Sequence, residues 1–417
     1  MSEHGDDGDR GRTAAAWHVL VGACGGIAIY KTVELVRLLA RRGYATTVVE
    51  TEAARRFVLP LTFAAASQSA VLDDDVAWSA SGGWFEHIEA ARRADVLVIA
   101  PATATTLAKL AAGLADNLLS AIYLAFRGPV ILAPSMNWAM YEHPATQQNL
   151  RLLAERGCTV LPATRGQLAC GEEGSGRMAE PEVILATVQR TLGALSGGPL
   201  AGRKVVVTAG GTREPIDAVR FLGNRSSGRM GRAVAEASVA HGADVTLIST
   251  TPMTGAACEV TLVETAAEMA AAVTRAVADA DVLVMAAAVS DFRPAEPLEG
   301  KIERADKDTL TLDLVRTVDV LAEAARPGLY RVAFAAEAGP RLDRARAKRR
   351  AKDVDLMVFN DILAAGIGIG SEDNEITIIG HDREEQVARA PKDVCAEAIV
   401  RAIERDLAAR AGTGRGG

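Results

Sequence analysis

The segment His18-Val19-Leu20-Val21-Gly22-Ala23-Cys24-Gly25-Gly26, followed by a helical pattern over residues 27–42, decides the fold of the first half of the chain. A short apolar run, a glycine-rich turn and an amphipathic helix are the beginning of a βαβ unit. The second half opens in the same way, because the apolar run at 204–208 leads into Gly210-Gly211 and a helical pattern begins near Gly228. Since strands alternate with helical segments in both halves, the sequence predicts an α/β protein of two tandem, doubly wound, Rossmann-like domains with parallel sheets.

The composition is typical of a globular enzyme and excludes several other classes. The 417 residues are 49% hydrophobic but only 4% aromatic, which suits helices packed on buried parallel strands. A formal net charge of −7 argues against a nucleic-acid partner. The pattern contains neither a signal peptide nor a membrane span, so we expect a cytoplasmic protein without a membrane partner. The cysteines are odd in number and show no C-x-x-C spacing, which argues against a disulfide scaffold or a zinc site: they are Cys24, Cys158, Cys170, Cys258 and Cys395.

The domain boundaries follow from local composition. Residues 195–202 are rich in glycine and carry no helical or strand period, so we interpret them as a linker. The predicted domains are therefore 14–194 and 203–408. The polar or glycine-rich ends, 1–13 and 409–417, are predicted to be flexible tails.

The residues that follow the strands of the first half are the candidates for binding. The turn at Gly25-Gly26 suits a tight structural turn, a nucleotide or flavin phosphate, or NAD, with Glu50 placed to hold an NAD ribose. The small residues Ala100-Pro101-Ala102-Thr103 follow a buried strand, and a helix is predicted from Leu107. Asn137 follows the next strand and is equally consistent with an Asx-turn and with binding of a carboxylate or amide.

Two further side chains are candidates for chemistry. His87 lies in an amphipathic stretch, where a lone histidine is more often a packing residue than a functional one. Cys170 lies in the glycine-rich segment 166–178, which is predicted to be a loop or flap. A free cysteine normally packs in a core, so this position favours a chemical role.

These motifs occur together and in order, and as a set they resemble the flavin-containing cysteine decarboxylases. The whole chain, over about residues 17–400, resembles the bacterial bifunctional coenzyme A biosynthesis proteins, which join phosphopantothenoylcysteine decarboxylase to phosphopantothenate–cysteine ligase. The motifs are Gly25-Gly26-Ile27-Ala28, His87-Ile88-Glu89, Ala100-Pro101-Ala102-Thr103, Pro134-Ser135-Met136-Asn137, Ala169-Cys170-Gly171 and Gly176-Arg177-Met178.

The resemblance implies FMN in the first domain, where oxidation of the cysteine thiol side supplies the electron sink for loss of CO2. It implies that His87 acts as a base or orients the substrate, that Asn137 holds the departing carboxylate, and that Cys170 delivers a proton to the ene-thiolate. The residues that it assigns to FMN are Gly25, Gly26, Ile27, Thr51, Pro101, Ala102, Thr103 and Ser120.

In the second domain the residues alone leave alternatives open. Ser226, Ser227 and Gly228 are predicted to form a helix N-cap, which is either an anion site or only a well-capped helix. Lys348 and Lys352 are one helical turn apart and so reach the same place, either for phosphates or as a solvated basic face.

The resemblance assigns this domain to CTP, with Mg²⁺ bound through the CTP phosphates, and to the substrates 4′-phosphopantothenate and L-cysteine. Asn224 matches the family's catalytic Asn, and Lys301 matches the first lysine of its nucleotide loop. The resemblance also implies a homo-oligomer, with trimeric contacts through the first domain and dimeric contacts through the second. The residues assigned to CTP are Gly210, Ser226, Ser227, Gly228, Ala286, Ala287, Asp291, Lys301, Asp319, Phe334, Lys348 and Lys352.

Two departures from the family pattern lie on the nucleotide side. Glu303 stands where relatives carry a lysine, and Arg316-Thr317-Val318-Asp319-Val320 stands where relatives show K-N-P-D-I. Three states of the second domain stay open: an active CTP ligase, a ligase with altered specificity, and an inactive one. The rival readings of the whole chain are a paralogous cysteine decarboxylase, a non-catalytic regulatory flavoprotein and an NAD-dependent dehydrogenase.

Overall fold

The chain forms two compact units that divide between Leu192 and Gly193, close to the predicted end of the first domain at residue 194. The computed structural model describes residues 17–77, 85–167, 171–253, 255–302, 310–339, 341–363 and 371–413. Cys170 and Glu303 lie outside the described residues. Each unit is described below by itself.

The first unit alternates strands and helices from its beginning to the helix that ends it. Its strands are β1 (His18–Ala23), β2 (Ala45–Glu50), β3 (Val71–Leu72), β4 (Val96–Ala102), β5 (Val130–Pro134), β6 (Thr159–Val160), β7 (Thr164–Gln167) and β8 (Glu173–Arg177). Its helices are α1 (Ile29–Arg41), α2 (Pro60–Ser67), α3 (Asp74–Ala77), α4 (Glu86–Arg93), α5 (Ala104–Ala112), α6 (Leu118–Ala125), α7 (Trp138–Glu142), α8 (Pro144–Glu155) and α9 (Pro181–Leu195).

The first sheet is fully parallel, in the order β3-β2-β1-β4-β5-β6. This is the doubly wound strand order. From β1, successive strands are added first on one side, as β2 and β3, and then on the other side, as β4, β5 and β6, so the switch point lies between β1 and β4. Every residue of β4 is buried, because helices cover both faces of the sheet. A separate antiparallel hairpin joins β7 to β8, with Gln167 opposite Glu173. The predicted fold class is confirmed for this unit.

The second unit repeats the alternation and then adds a hairpin and a long helix. Its strands are β9 (Lys204–Ala209), β10 (Arg213–Pro215), β11 (Phe221–Gly223), β12 (Asp244–Ser249), β13 (Glu259–Leu262), β14 (Val282–Met285), β15 (Phe292–Pro294), β16 (Leu314–Arg316), β17 (Tyr330–Glu337), β18 (Leu356–Asp361), β19 (Asp373–Ile379) and β20 (Glu384–Pro391). Its helices are α10 (Arg229–Ala240), α11 (Ala266–Ala276), α12 (Val320–Glu323), α13 (Leu342–Ala351) and α14 (Lys392–Thr413).

The second sheet has the order β13-β12-β9-β14-β17-β18-β19-β20. Its first six strands are parallel. The order in which strands are added to the sheet reverses between β9 and β14, as predicted for a doubly wound domain. The strands β19 and β20 pair antiparallel, so the complete sheet is mixed. Two short antiparallel ribbons, β10–β11 and β15–β16, lie outside this sheet.

Two element boundaries differ from the prediction for identifiable reasons. Helix α5 begins at Ala104 rather than Leu107, because Thr103 is its N-cap and accepts a hydrogen bond from the N–H of Thr106. Helix α14 continues to Thr413, whereas a flexible tail was predicted from residue 409. Arg410 holds this last turn, since it pairs with Asp355 and stacks 4.8 Å from the Tyr330 ring centroid.

A charged cluster fastens α10 to α14. His241, just after α10, contacts Glu404 through Nδ1 at 2.9 Å and Glu397 through Nε2 at 3.1 Å. Burial opposes the imidazolium charge, but the two carboxylates outweigh it and raise the pKa of His241 to about 9. The histidine is therefore charged at neutral pH and ties the two helices together.

Within the described ranges, no helix is long and apolar enough to cross a membrane. The four described cysteines, Cys24, Cys158, Cys258 and Cys395, are free thiols.

Candidate active sites

A cleft of about 1110 Å³ opens in the first unit where the carboxyl ends of β1 and β4 meet. This is the switch point of the sheet, where ligands bind in doubly wound folds. The cleft brings together six of the predicted site residues: Gly25, Gly26, Ile27, Thr51, Thr103 and Asn137. Its volume is at the upper end of the range for ligand pockets, so it has room for more than a single small substrate.

The glycine turn after β1 is shaped by close backbone contacts. A Cβ at Gly25 would lie 2.5 Å from the Cβ of Ala53 and 2.7 Å from its carbonyl oxygen, so only glycine fits there. Helix α1 follows without a side-chain cap, and the backbone itself satisfies two N–H groups of its first turn, because Ile29 donates to Gly26 and Lys31 donates to Ala28, both at 3.0 Å. Cys24 beside this turn is buried, which raises the pKa of its thiol to about 11 and keeps it neutral.

The other predicted FMN residues differ in their access to this cleft. Thr103 lines it, whereas Pro101 and Ala102 are buried residues of β4 behind it. Ser120 is also buried, and its hydroxyl accepts a hydrogen bond from the N–H of Asn117 in the capping box of α6. Asn117 itself lines the cleft, so Ser120 supports the lining from behind.

Asn137 combines a structural contact with an exposed donor. Its Oδ1 accepts from the N–H of Ala139 at 2.9 Å, which makes it the N-cap of α7. Its Nδ2 lies 3.2 Å from Glu172, a carboxylate that also accepts from the Trp138 indole at 2.8 Å. The amide thus donates to a carboxylate of the protein itself, and binding of a substrate carboxylate by Asn137 stays a prediction.

Of the two other predicted catalytic residues of this unit, His87 is described by the structure, whereas for Cys170 only the flanking residues are described. The glycine-rich segment around Cys170 joins the hairpin of β7 and β8, and Gln167 on one side of it lines the cleft. Glu172 on the other side contacts Asn137, so both flanks of Cys170 reach the site. His87 is half-buried on α4 and is not among the residues that line the cleft of its own chain.

Sequence reasoning missed the charged residues of the cleft. Lys31 is almost fully buried on α1, and its Nζ donates to Glu180 at 2.7 Å. Arg177 lies 3.5 Å from the same carboxylate, and both cations line the cleft. A sequence signal for Lys31 did exist, because a lysine on the apolar face of a helix, beside Thr32 and Leu35, is unusual.

Glu50 does not occupy the position of an NAD ribose ligand. Its side chain is buried at the end of β2, and neither carboxylate oxygen has a partner within the described part of the chain. Burial, with the nearby charge of Asp73, raises the pKa of Glu50 to about 7 although Arg55 opposes the rise. Because Glu50 is not among the residues that line the cleft, the observation that suggested NAD loses its support.

In the second unit, the loops that follow β9 and β14 meet at the switch point. The N–H of Ala288 donates to Gly210 at 2.8 Å, and the N–H of Ala287 donates to the buried hydroxyl of Thr208 at 3.1 Å. A Cβ at Gly210 would lie 2.1 Å from the Thr250 hydroxyl. The predicted nucleotide residues Gly210, Ala286 and Ala287 are thus brought to one edge of the sheet.

The predicted cap at Ser226-Ser227-Gly228 has a different arrangement. Of the three residues predicted to form the cap, Gly228 is the N-cap of α10, with φ of +70° and no side-chain cap hydrogen bond. Ser226 instead accepts from the N–H of Gly228 at 3.4 Å. The left-handed backbone favours glycine, and a Cβ would lie 2.6 Å from Met253.

Asn224 is joined to the loop that follows β14. Its Nδ2 donates to the carbonyl oxygen of Val289 at 3.0 Å, two residues before Asp291. The predicted catalytic amide and the predicted nucleotide loop therefore belong to one site.

Lys301 is exposed and is positioned by a residue that sequence reasoning did not select. The carboxylate of Asp217 accepts from the N–H of Ile302 at 3.1 Å and from the N–H of Arg220 at 2.7 Å. The bond to Ile302 is the main reason that the pKa of Asp217 is lowered. Arg220 closes the clamp, because its guanidinium donates to the Ile302 carbonyl at 2.7 Å.

The two predicted phosphate-binding lysines are ion-paired. Lys348 on α13 lies 2.6 Å from the buried carboxylate of Glu337, and its hydrogen bond lowers the pKa of that group. Lys352 lies 3.2 Å from Asp319, which also caps α12. Phe334 is half-buried in β17, three residues before Glu337. Glu337 was not predicted, since nothing in its local pattern shows that it pairs with α13.

No cluster of His, Cys, Asp or Glu within the described ranges has a geometry that holds a metal ion. In the second unit, Glu337 and Asp319 instead pair with lysines, and Asp217 accepts from backbone N–H groups.

Comparison with known proteins places both units. The Flavoprotein family model matches residues 9–193, and the model of the DNA/pantothenate metabolism flavoprotein C-terminal domain matches residues 200–407. The coenzyme A biosynthesis bifunctional protein CoaBC of Vibrio cholerae is 39% identical over 409 residues, or 95% of this chain and 100% of that protein. The CoaBC protein of Mycobacterium bovis is 42% identical over 408 residues, or 94% of this chain and 97% of that protein.

A solved structure of the C-terminal domain of a CoaBC protein is 32% identical, with a TM-score of 0.42 over 50% of this chain and 98% of that chain. The two relatives extend over nearly the whole of both units, and the predicted resemblance is confirmed. The chain therefore belongs to the family of the coenzyme A biosynthesis bifunctional proteins CoaBC.

Proposed function

We propose that this chain is a bifunctional enzyme of coenzyme A biosynthesis. Its second unit (203–408) activates 4′-phosphopantothenate with CTP and Mg²⁺ as an acyl-cytidylate and joins it to L-cysteine with release of CMP. Its first unit (14–194) decarboxylates the resulting 4′-phosphopantothenoylcysteine to 4′-phosphopantetheine. The observation that carries the proposal is the cleft at the first switch point, where the glycine turn, Thr103 and Asn137 converge in a chain of this family.

The residues of the cleft fit FMN. The glycines of the turn at Gly25-Gly26 let a phosphate approach the backbone closely, and Thr51 and Thr103 line the same cleft with their hydroxyl-bearing side chains. Lys31 adds a buried positive charge. The cleft is large enough for a flavin together with a substrate. When bound, FMN supplies the oxidation of the cysteine thiol side that creates an electron sink for decarboxylation.

The protein residues bind the substrate and handle its protons. Asn137 Nδ2 exchanges the Glu172 carboxylate for the carboxylate of the substrate and holds it until CO2 leaves. Cys170 would deliver a proton from its thiol to the ene-thiolate carbon. Formation of the saturated product also requires the return of the two electrons removed in the oxidation, which FMN would supply when bound. His87 orients the substrate or takes its proton.

In the ligase unit, cations gather where the triphosphate binds. Lys348 and Lys352 exchange Glu337 and Asp319 for phosphate oxygens, and Lys301 contributes from the segment that Asp217 holds. Asn224 polarises the acyl group while cysteine displaces CMP. Mg²⁺ enters bound to the phosphates of CTP.

We propose a homo-oligomer in which each unit provides one type of contact. His87 lies outside the cleft of its own chain, so a neighbouring copy brings it to the substrate in a trimer. The exposed apolar residues beside the cleft, Ile27 and Tyr30, suit that contact. The adjacent ribbons β10–β11 and β15–β16 expose Phe221 and Phe292, which suits a dimer through the second unit.

The state of the cysteines indicates the cellular compartment of the protein. Cys24, Cys158, Cys258 and Cys395 are unpaired, which is the usual state of cysteines in the reducing cytoplasm. A cytoplasmic enzyme is therefore our prediction.

The first unit is tested by supplying 4′-phosphopantothenoylcysteine to the purified chain and measuring CO2 release and 4′-phosphopantetheine by mass spectrometry. Cys170→Ser is expected to release CO2 but to accumulate the unsaturated enethiol. Asn137→Ala is expected to lose CO2 release itself. Equal product from all three proteins would show that these residues do not carry the reaction.

A further inference from the structure

The loop at 286–291, between β14 and β15, is held by the hydroxyls of three threonines. The N–H of Ala287 donates to Thr208 at 3.1 Å, and the N–H of Ser290 donates to Thr212 at 2.9 Å. Both of these threonines are completely buried. From the opposite side, Thr317 donates its hydroxyl to the carbonyl oxygen of Ser290.

Thr317 makes a second bond to the same loop. It follows β16 directly, and its N–H donates to the carbonyl oxygen of Asp291 at 3.0 Å. The pairing of Phe292 with Arg316 places Thr317 opposite Asp291 in the β15–β16 ribbon. Thr317 therefore binds two consecutive carbonyl groups: that of Ser290, which belongs to the Ser290–Asp291 peptide, and that of Asp291, which belongs to the next peptide.

The residue after Thr317 anchors it to the protein core. Val318 is half-buried and packs against the same core cluster as Ala287 and Val289 of the loop. Asp319 then caps α12. Val318 and Asp319 fix this short segment, so the Thr317 hydroxyl is already in place against Ser290 before a nucleotide binds. Nucleotide binding therefore has no entropic cost for ordering this hydroxyl.

We propose that Thr317 is a positioning residue for nucleotide selection, holding the Ser290–Asp291 peptide so that the exposed Asp291 carboxylate faces the base. The inference rests on the proposed ligase function and names a residue that determines its specificity. A carboxylate only accepts hydrogen bonds, so it favours the exocyclic amine of cytosine and repels the carbonyl that uracil carries at the same position. This discrimination requires the carboxylate to have a fixed position, because a mobile carboxylate can accept hydrogen bonds from water instead of from the base.

The Thr317-Val318 departure from the family pattern therefore has a structural role, which is to hold the loop at 286–291. Threonine supplies the hydroxyl for Ser290, and valine supplies apolar packing for the loop. The altered segment is thus built to hold the nucleotide loop, and the ligase unit is expected to be active.

The test compares Thr317→Val with Thr317→Ser in the full-length chain. Valine keeps the shape of threonine but has no hydroxyl, whereas serine retains the hydroxyl. Thr274→Val, on the exposed face of α11, is the matched control. Initial rates of CMP and UMP formation are measured with 4′-phosphopantothenate, cysteine and Mg²⁺, and nucleotide binding is measured by calorimetry with CTP and with UTP.

Thr317→Val is expected to raise KM and Kd for CTP about fivefold to tenfold, the effect of one hydrogen bond, with kcat nearly unchanged. The preference for CTP over UTP should fall by a similar factor. Thr317→Ser and Thr274→Val should resemble the unsubstituted chain. Unchanged CTP affinity and CTP/UTP preference in Thr317→Val would overturn the proposal.

The two proposals fail in different ways. A chain that binds CTP but forms no CMP would refute the ligase function, and the binding constants of the two Thr317 variants would still decide the positioning role. A chain that binds no CTP would refute both.

Discussion

Glu50 destabilises the first unit at neutral pH and above, because its carboxyl group is buried without a hydrogen-bond partner among the described residues. Its pKa rises from 4.5 to about 7, mainly through burial. The folded state therefore holds the proton more tightly than the unfolded state does. This tighter proton binding stabilises the folded state. The stabilisation is fully present below pH 4.5 and is lost as the pH rises through 7.

The size of the loss follows from the two pKa values. At about 1.4 kcal/mol for each pKa unit, the ionised Glu50 costs about 3 kcal/mol at pH 8. Glu50→Gln keeps the shape of the side chain and removes the charge. For a unit of this size we expect the unfolding midpoint of Glu50→Gln to rise by about 6 to 12 °C at pH 8 and by only about 2 to 3 °C at pH 5.

Tryptophan fluorescence measures this unit alone. The four tryptophans of the chain are at positions 17, 78, 84 and 138, all within the first unit. Thermal unfolding of the full-length chain is followed at pH 5 and pH 8, with Glu155→Gln, an exposed position, as the control. A Glu50→Gln midpoint that shifts equally at both pH values, or that falls at pH 8, would refute the reasoning.

Three other variants test other parts of the structure. His241→Phe removes the cation between α10 and α14, so it should destabilise the second unit at pH 7. The difference in unfolding midpoint from the unsubstituted chain should shrink as the pH rises through 9, where His241 loses its charge. Calorimetric scans in which this difference stays constant with pH would contradict the prediction. Asp217→Asn keeps one acceptor oxygen for the N–H groups of Val219 and Arg220, so the N–H of Ile302 is left facing an amide NH2. CMP formation should therefore fall about tenfold while decarboxylation of supplied 4′-phosphopantothenoylcysteine is retained. Gly25→Ala places a Cβ 2.5 Å from that of Ala53, so the purified protein should lose its flavin absorbance, and a yellow variant would argue against this turn as the flavin site.

The alternation of strands and helices was predictable because the strands, turns and helices of each βαβ unit have recognisable local sequence patterns. The apolar runs at β1, β4, β9 and β14 and the glycines after β1 and β9 fix the two switch points. The hairpin of β19 and β20 was missed because its exposed strand is mostly polar and carries little apolar signal.

The site was predictable where its residues follow strands and unpredictable where distant segments meet. Gly25, Thr103 and Asn137 lie in one cleft because parallel strands end at one edge of a sheet. The pairing of Lys31 with Glu180 joins residues 149 positions apart, and no local pattern encodes it. The absence of His87 from the cleft lining was equally hidden, because the orientation of α4 is set by tertiary packing.

The central claim is that one chain performs both reactions, and one incubation tests it most directly. The purified chain is mixed with 4′-phosphopantothenate, L-cysteine, Mg²⁺ and either CTP or ATP, and the products are identified by mass spectrometry. The account predicts 4′-phosphopantetheine and CMP in the CTP reaction. If neither nucleotide is consumed while supplied 4′-phosphopantothenoylcysteine still loses CO2, the second unit is not a ligase and the claim is contradicted.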